Sequence, residues 1–283
     1  MSFPGGNASV NQRRSAHVLT IVLTADNISF RVAGRELISG ISAVFEPGKL
    51  HLVIGPNGAG KSTLIKVLSR LIRPSSGRVG YEGENVTSAS ELDLARRRAV
   101  LSQAVEVAFP LKVREVVMMG RYPHFGGRPG PADETIVDEM MEYFDIIEFS
   151  DRGYQTLSGG ERQRVNFARV LAQLWRTDHI ETLPKCRYLF LDEPLTFLDI
   201  RHQIEFMKKV REFGSASDVV TVGVVHDLNL AARFADQIVL INDGRVVASG
   251  TSAEVLTAER INAVFGIIPT FVKAESGVHL IFD

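Results

Sequence analysis

The sequence has few features of a secreted, membrane-spanning or nucleic-acid-binding protein. Cys186 is the only cysteine among 283 residues, so no intrachain disulfide can form and a reducing, cytosolic setting is expected. No run of about 18 apolar residues occurs, which argues against a membrane-spanning helix in this sequence. Basic and acidic residues nearly balance, at 32 and 33, so no positive excess favours nucleic acid. Small molecules and other proteins are the expected partners.

Apolar stretches typical of buried strands alternate with helix-like segments along the chain. Strands are predicted at Leu50–Ile54, Arg187–Leu191 and 219–225, and an Asp-Gly pair predicts a hairpin over 238–248. Continuous apolar strands are typical of a sheet that is covered on both faces. The pattern therefore predicts an α/β fold with a mainly parallel central sheet, an antiparallel β part and a helical subdomain.

The domain organisation can also be predicted from composition. Residues 1–18 are expected to form a flexible N-terminal extension, and residues 19–283 a single domain, for which a hydrophobic content of 45% can supply the core. The segment from about 104 to 158, which is rich in helix formers and methionine, is the candidate helical subdomain inserted into the α/β core.

A glycine-rich loop follows the first apolar strand. It has the form GxxxxGK[ST] and consists of Gly55, Pro56, Asn57, Gly58, Ala59, Gly60, Lys61, Ser62 and Thr63. Glycines let such a loop aim several backbone N–H groups at phosphates, and the start of the next helix adds its positive end. Lys61 supplies a charge against the β and γ phosphates, and the Ser62 hydroxyl suits Mg²⁺. The motif alone predicts a nucleotide site in any of several hydrolase families.

Polar residues follow two of the later strands. Asp192 and Glu193 come directly after the strand at 187–191, and His226 follows the strand at 219–225. Open parallel sheets bind their ligands at such strand ends. Asp192 can hold Mg²⁺ through a water, and Glu193 can take a proton from an attacking water. An isolated Asp-Glu pair is more often simply solvated, and an isolated histidine more often a surface or core residue.

A second glycine-containing motif, LSGGERQ, occupies residues 157–163. Ser158 is a good helix N-cap, and Glu161 three residues later completes a capping box. The glycines Gly159 and Gly160 leave backbone N–H groups open at a positive helix end, where an anion can bind.

The order of these motifs resembles that in the ATP-binding subunits of ATP-binding-cassette (ABC) transporters, and the resemblance covers roughly residues 19–283. It implies a P-loop nucleotide hydrolase that uses ATP and Mg²⁺. It further implies that Gln103 reaches the Mg²⁺ and that His226 contacts the γ phosphate. Asp199 matches the loop that links the two nucleotide sites of a dimer, although Thr196 and Phe197 beside it are bulkier than the family's usual residues.

The resemblance also implies partners. Ser158, Gly159 and Gly160 are expected to bind the γ phosphate held by a second copy of the chain, so that two chains close around two ATP molecules. The dimer would drive integral membrane permease subunits from the cytoplasmic face of the inner membrane, with a periplasmic binding protein acting indirectly and no role for nucleic acid. Where the family commonly has an aromatic residue that stacks on adenine, this sequence has Val32. The alternatives are that Arg31 or Phe30 takes over that contact or that the base is held loosely.

The transported compound is predicted from two segments. Residues 108–124 resemble the helical lobe of importers for iron-siderophores, cobalamin and heme, and the spacer at 175–185 resembles that of bacterial heme (hemin) importers. Heme is therefore the favoured cargo, with an iron-siderophore or cobalamin as the alternative. A soluble ABC ATPase, such as an iron-sulfur assembly scaffold, is a second alternative, and a non-hydrolysing binding module is disfavoured because Lys61, Asp192, Glu193 and His226 are all present.

Overall fold

The computed structural model describes residues 22–102, 109–176, 186–274 and 277–282. The strands are β1 (Leu23–Val32), β2 (Arg35–Phe45), β3 (Leu50–Ile54), β4 (Ser76–Tyr81), β5 (Glu84–Asn85), β6 (Arg98–Leu101), β7 (Arg187–Leu191), β8 (Val219–Val224), β9 (Gln237–Asn242), β10 (Arg245–Gly250), β11 (Thr270–Ala274) and β12 (Gly277–Ile281). The α-helices are α1 (Lys61–Leu68), α2 (Glu91–Arg97), α3 (Val113–Met118), α4 (Pro131–Tyr143), α5 (Gly159–Leu174), α6 (Ile200–Gly214), α7 (Leu228–Phe234), α8 (Ser252–Val255) and α9 (Ala258–Phe265). Short 3₁₀ turns, including Met119–His124, join several of them.

The central sheet has six strands in the order β10-β9-β3-β8-β7-β6. Five of them run parallel, and β10 pairs with β9 in the antiparallel sense. Every residue of β3 and β8 is buried, because helices and a second sheet cover both faces. The α/β fold, the strands at Leu50–Ile54 and Arg187–Leu191, and the hairpin are confirmed; the strand predicted at 219–225 ends one residue earlier.

The second sheet is antiparallel, with the order β2-β1-β4-β5. It packs with α1 against one face of the central sheet through a shared apolar cluster. Within that cluster the rings of Tyr81 and Tyr188 stack with their centroids 4.0 Å apart, which joins the two sheets. The lone cysteine, Cys186, is buried there immediately before β7.

A larger apolar cluster lies on the opposite face of the central sheet and includes residues of α3, α4, α5 and α6. The helices α3 and α4 pack on α5, whose buried face contains Val165, Ala168 and Leu171. The start of α5 therefore belongs to the layer of helices α3, α4 and α5 on this face of the sheet. The proposed boundaries of the N-terminal extension (1–18) and of the helical subdomain (104–158) begin at residues outside the described ranges and remain predictions.

Candidate functional site

The glycine-rich loop at residues 55–63, called the phosphate loop below, joins β3 to α1. Backbone carbonyl groups from other parts of the chain pack closely against two of its glycines. A Cβ on Gly55, whose φ is +152°, would lie 2.0 Å from the Ile241 carbonyl oxygen. A Cβ on Gly60, at φ +97°, would lie 2.5 Å from the Leu37 carbonyl oxygen. Gly60 is also the N-cap of α1 and has no side chain to satisfy the first N–H groups. Those groups can therefore bind an anion such as a phosphate.

Lys61 lies at the centre of this loop and is buried, with 5% of its surface exposed. Its Nζ donates to the carbonyl oxygens of Gly55 and Pro56, at 2.8 and 2.7 Å. Burial lowers the pKa of Lys61, and the carboxylates of Glu193 and Asp192 oppose that shift. The ammonium group is thus held in place by neutral acceptors, with two acidic residues nearby.

Asp192 follows β7 and is 6% exposed. It forms a hydrogen bond with the Ser62 side chain, and burial is the main cause that raises its pKa. Its Oδ1 atom is buried and has no hydrogen-bond partner among the residues that the structure describes. A buried carboxylate oxygen beside a serine hydroxyl fits a hard divalent cation, which prefers oxygen ligands. Ser62 and Asp192 therefore form a donor pair suited to Mg²⁺.

Glu193 and His226 form the third part of the site. The Nε2 atom of His226 lies 2.9 Å from Oε1 of Glu193. Glu193 has φ +50°, an uncommon backbone conformation for a residue other than glycine. The pair borders a cavity of about 190 Å³, which Thr196 and Gln203 also line. The structure thus brings a carboxylate and an imidazole together at the carboxyl ends of β7 and β8, as predicted from their positions after the strands.

The second glycine motif has the predicted local structure. Ser158 caps α5 and its side chain accepts from the Glu161 N–H at 3.3 Å, while the Glu161 carboxylate accepts from the Ser158 N–H at 2.7 Å. That bond from the Ser158 backbone is the main cause that lowers the pKa of Glu161. Ser158 and Gly159 are exposed. A Cβ on Gly159 would lie 3.3 Å from the Phe197 side chain, so this loop packs beside the segment before Asp199.

Asp199 is the N-cap of α6. Its carboxylate accepts from the His202 backbone N–H at 2.9 Å and lies 2.8 Å from Nδ1 of the same residue. The backbone bond is the main cause that lowers the pKa of Asp199. The neighbouring Phe197 and Ile200 are 65% and 76% exposed. Two large apolar side chains therefore face solvent beside Ser158 and Gly159.

Two positions that the family resemblance singled out, Gln103 and Val32, add little to the geometry of the site. Gln103 lies outside the described residues. Val32 ends β1 and is 50% exposed, and Arg31 beside it is 3.6 Å from Glu36. These positions place an apolar side chain and an ion pair, rather than an aromatic ring, at the end of β1.

Sequence reasoning missed three hydrogen bonds that shape the site. The Gly244 N–H donates to the Ala59 carbonyl oxygen at 3.1 Å, and the Ser39 N–H donates to the Gly244 carbonyl oxygen at 2.8 Å. The Gln163 side chain, which is buried, donates to the Pro194 carbonyl oxygen at 2.6 Å. The Asp-Gly turn and the glutamine of LSGGERQ were visible in the sequence, but nothing there indicated that they hold the phosphate loop and the residues after Glu193.

Comparison with known proteins is consistent with this geometry. The family model for the ABC transporter matches residues 38–196. The hemin import ATP-binding protein HmuV of Rhizobium meliloti (strain 1021) is 43% identical over 245 residues, which cover 87% of this chain and 91% of that protein. The protein of the same name from Escherichia coli O157:H7 is 38% identical over 252 residues, covering 89% and 95%.

Solved structures share the fold. The structure of cbiO1 from Clostridium perfringens, part of the ABC transporter complex cbiONQ, has a TM-score of 0.69 and 25% identity and covers 85% of this chain and 94% of that chain. The chain belongs to the ABC transporter family, as an ATP-binding and ATP-hydrolysing member. The family, the fold class and the ATPase activity expected from the sequence are thereby confirmed, while the roles of individual residues stay predictions.

Proposed function

We propose that this chain is the ATP-hydrolysing subunit of a bacterial heme (hemin) importer. The observation that carries the proposal is the convergence of Lys61, Ser62, Asp192, Glu193 and His226 at one edge of the central sheet, in a chain that resembles hemin import ATP-binding proteins over nearly its whole length. An iron-siderophore or cobalamin importer is the alternative for the cargo.

The site's residues account for binding and hydrolysis of ATP. Residues 55–63 cradle the phosphates through backbone N–H groups, and Lys61 adds its positive charge. Ser62 and Asp192, together with Gln103, would hold Mg²⁺, which when bound neutralises developing charge on the phosphates. Glu193 accepts a proton from the attacking water and is oriented by His226, which also contacts the γ phosphate.

A second copy of the chain completes the site. Ser158 and Gly159 are exposed, and α5 begins at Gly159; the N–H groups of Gly159 and Gly160 in its first turn are where a phosphate held by a second chain would bind. Asp199 and the exposed Phe197 and Ile200 flank these groups and would be covered when two chains close head to tail. The capping bonds between Ser158 and Glu161 already hold residues 157–163, which we call the signature loop, in an ordered conformation before the two chains close.

The permease subunits would contact the helical region. A groove of about 590 Å³ runs along α3, the 3₁₀ turn Met119–His124 and the start of α4, and includes Leu111, Met118, Tyr122 and Phe125. Tyr122 is 57% exposed. We propose that a permease segment lies in this groove and that the region predicted at 104–158 acts as the coupling subdomain.

Direct heme binding by this region is disfavoured. Nε2 of His124 lies 2.8 Å from the Gln173 carbonyl oxygen, and burial is the main cause that lowers the pKa of His124. This contact leaves only Nδ1 of a half-buried ring as a possible ligand to heme iron. We propose that heme passes through the permease and that the ATPase supplies only the driving force.

The proposed location is the cytoplasmic face of the inner membrane, with a periplasmic binding protein delivering heme from the other side. In the described parts of the chain, no helix combines the length and the apolar character needed to cross a bilayer. Attachment would therefore occur through the permease groove.

The experiment that tests this function is reconstitution with the membrane partner. Tagged protein is purified from native membranes, the co-purifying permease is identified, and the complex is placed in liposomes. A heme-loaded binding protein should stimulate ATP hydrolysis and move heme across the bilayer, whereas a ferric siderophore should do neither. Stimulation by the siderophore instead would support the alternative cargo, and the absence of any membrane partner would support a soluble ATPase.

A further inference from the structure

The turn that carries Glu193 joins β7 to α6 and runs to Leu198. Glu193 has φ +50° at the start of this turn. A residue other than glycine keeps such a conformation where the surrounding structure holds it. The direction in which the Glu193 carboxylate points therefore depends on the contacts that hold the turn.

Some of these contacts are local. The Thr196 hydroxyl donates to the Glu193 carbonyl oxygen at 3.1 Å. From α6, the Gln203 side chain donates to the Leu198 carbonyl oxygen at 3.0 Å. Both bonds join residues that are close in sequence, and neither reaches Pro194, the residue directly after Glu193.

Gln163 holds Pro194 from a distant part of the chain. Its Nε2 atom donates to the Pro194 carbonyl oxygen at 2.6 Å, across 31 positions in the sequence. Because proline has no backbone N–H group, this carbonyl is the one hydrogen-bonding group of its backbone. Gln163 is 7% exposed and Pro194 is also buried, so water cannot readily replace the bond. The peptide next to Glu193 is thus fixed from α5.

The first turn of α5 packs against the same segment. A Cβ on Gly159 would lie 3.3 Å from Cβ of Phe197, and a Cβ on Gly160 would lie 3.8 Å from the Phe197 carbonyl oxygen. Gln163 follows Gly159 by four residues, which places it about one turn further along the same side of the helix. The helix that begins at the signature loop is therefore joined to the turn that carries Glu193 of the same chain.

We propose that Gln163 is a positioning residue for ATP hydrolysis. By holding the Pro194 carbonyl, its amide group fixes the backbone from which the Glu193 carboxylate reaches the attacking water. Gln163 takes no proton itself, and the inference rests on the proposed role of Glu193 as the general base. A displaced base slows the chemical step, whereas the phosphate loop and its affinity for ATP are unchanged.

The test compares two glutamines of α5 in the full-length protein. Gln163→Met keeps an unbranched side chain of similar length and removes the donor. Gln173→Met is the matched control, because the Gln173 side chain also donates to backbone carbonyl oxygens, those of Ala95 and Arg98, at 2.7 and 2.9 Å. In Gln163→Met, kcat should fall roughly tenfold while the KM for ATP stays within about twofold. In Gln173→Met, both constants should stay within about twofold of the original values.

The melting temperature separates positioning from a general loss of stability. Each variant loses a hydrogen bond between a side-chain amide and a backbone carbonyl, so both should have a lower Tm. Gln163→Glu provides a second variant at the same position, because its carboxylate has nearly the same shape and cannot donate to a carbonyl oxygen. It should also lower kcat roughly tenfold or more. Unchanged binding of a fluorescent ATP analogue shows that each variant is folded.

A double variant asks whether Gln163 acts through Glu193. In Glu193→Gln, turnover is already low and no general base is left to position. Adding Gln163→Met to that variant should therefore change the residual rate by less than about twofold.

Three results would overturn the inference. These are equal kcat values in Gln163→Met and Gln173→Met, a loss of kcat/KM that comes mainly from KM, or an undiminished effect of Gln163→Met in the Glu193→Gln background. Failure of the role proposed for Glu193 looks different, because Glu193→Gln alone would then turn over ATP near the original rate, and both ideas would fall. If Glu193→Gln is slow and the two glutamine variants behave alike, the proposed function stands and the role of Gln163 is refuted.

Discussion

The phosphate loop and the signature loop both place glycines at the start of a helix, but they are supported in different ways. The phosphate loop is held by β2 and by the β9–β10 hairpin, through Leu37, Ile241 and Gly244. The signature loop is held mainly by the capping box of Ser158 and Glu161 and is open to solvent. The phosphate loop is therefore preformed within one chain, whereas the signature loop begins α5 at a solvent-exposed surface, where we propose that a second chain binds.

The largest expected effect is on ATP turnover and comes from replacing Glu193, which lies on the same side of the site as the phosphate loop. Glu193→Gln should lower ATP turnover by about 100-fold or more, because a general base contributes on that scale. Nucleotide binding should be retained, since the phosphate loop is unchanged. Phosphate release and binding of a fluorescent ATP analogue measure the two effects. The matched control is Glu259→Gln on α9, at an exposed position; equal loss in both variants would refute the role of Glu193.

The next effect tests how firmly the phosphate loop is supported. Gly55→Ala would place a methyl group 2.0 Å from the Ile241 carbonyl oxygen, and the overlap should cost about 1–3 kcal/mol. ATP binding should weaken accordingly, by roughly ten- to 100-fold. Gly83→Ala, outside the loop, is the control, because its φ is also positive, at +84°, and a Cβ there meets no atom of the described residues within 4 Å. If the two variants bind ATP equally well, the close packing behind the loop is not what shapes it.

A smaller effect is expected in the exposed half. Ser158→Ala removes a helix cap, at a cost of about 1 kcal/mol, together with a donor to the phosphate of the second chain. Hydrolysis should fall roughly tenfold, while ATP binding by the monomer is retained. Ser90→Ala removes an equivalent cap, from α2, and should leave hydrolysis near the original rate. Loss of monomer binding in Ser158→Ala would contradict the cross-subunit role.

The smallest expected effect is on the free energy of unfolding of the ligand-free protein, through Asp192. Burial raises the pKa of Asp192, so the folded state binds its proton more tightly than the unfolded chain does. The free energy of unfolding of the metal-free protein should therefore decrease as pH rises through the region where this group ionises. At neutral pH, Asp192→Asn removes the buried charge and should raise the Tm of the ligand-free protein by about 2–4 °C. A lower Tm for this variant would show that the charge is already compensated.

The sequence predicted the parts of the site that depend on local pattern. The phosphate loop, the Ser158 cap and the polar residues after β7 and β8 each follow from a few neighbouring residues. The contact between Gly244 and Ala59 could not be predicted in this way, because it joins residues far apart in the chain. The same holds for Gln163 and Pro194, whose bond connects α5 to the residues after Glu193.

Backbone geometry was also beyond prediction. Nothing local in the sequence indicates that Glu193 adopts φ +50°, because that conformation depends on how β7 enters the following turn. The exposure of Phe197 and Ile200 likewise became visible only with the fold, although the sequence had already marked Phe197 as unusually bulky for its position.

The most direct test of this comparison mixes two inactive variants. Lys61→Ala damages the phosphate loop, and Ser158→Phe blocks the signature loop; each variant alone should hydrolyse ATP very slowly. In a head-to-tail dimer that contains one of each, one site combines an intact phosphate loop with an intact signature loop. Mixing the purified chains should therefore restore ATP hydrolysis, to about a quarter of the original rate if pairing is random. A mixture that stays as inactive as its components would contradict the claim that two chains build each site.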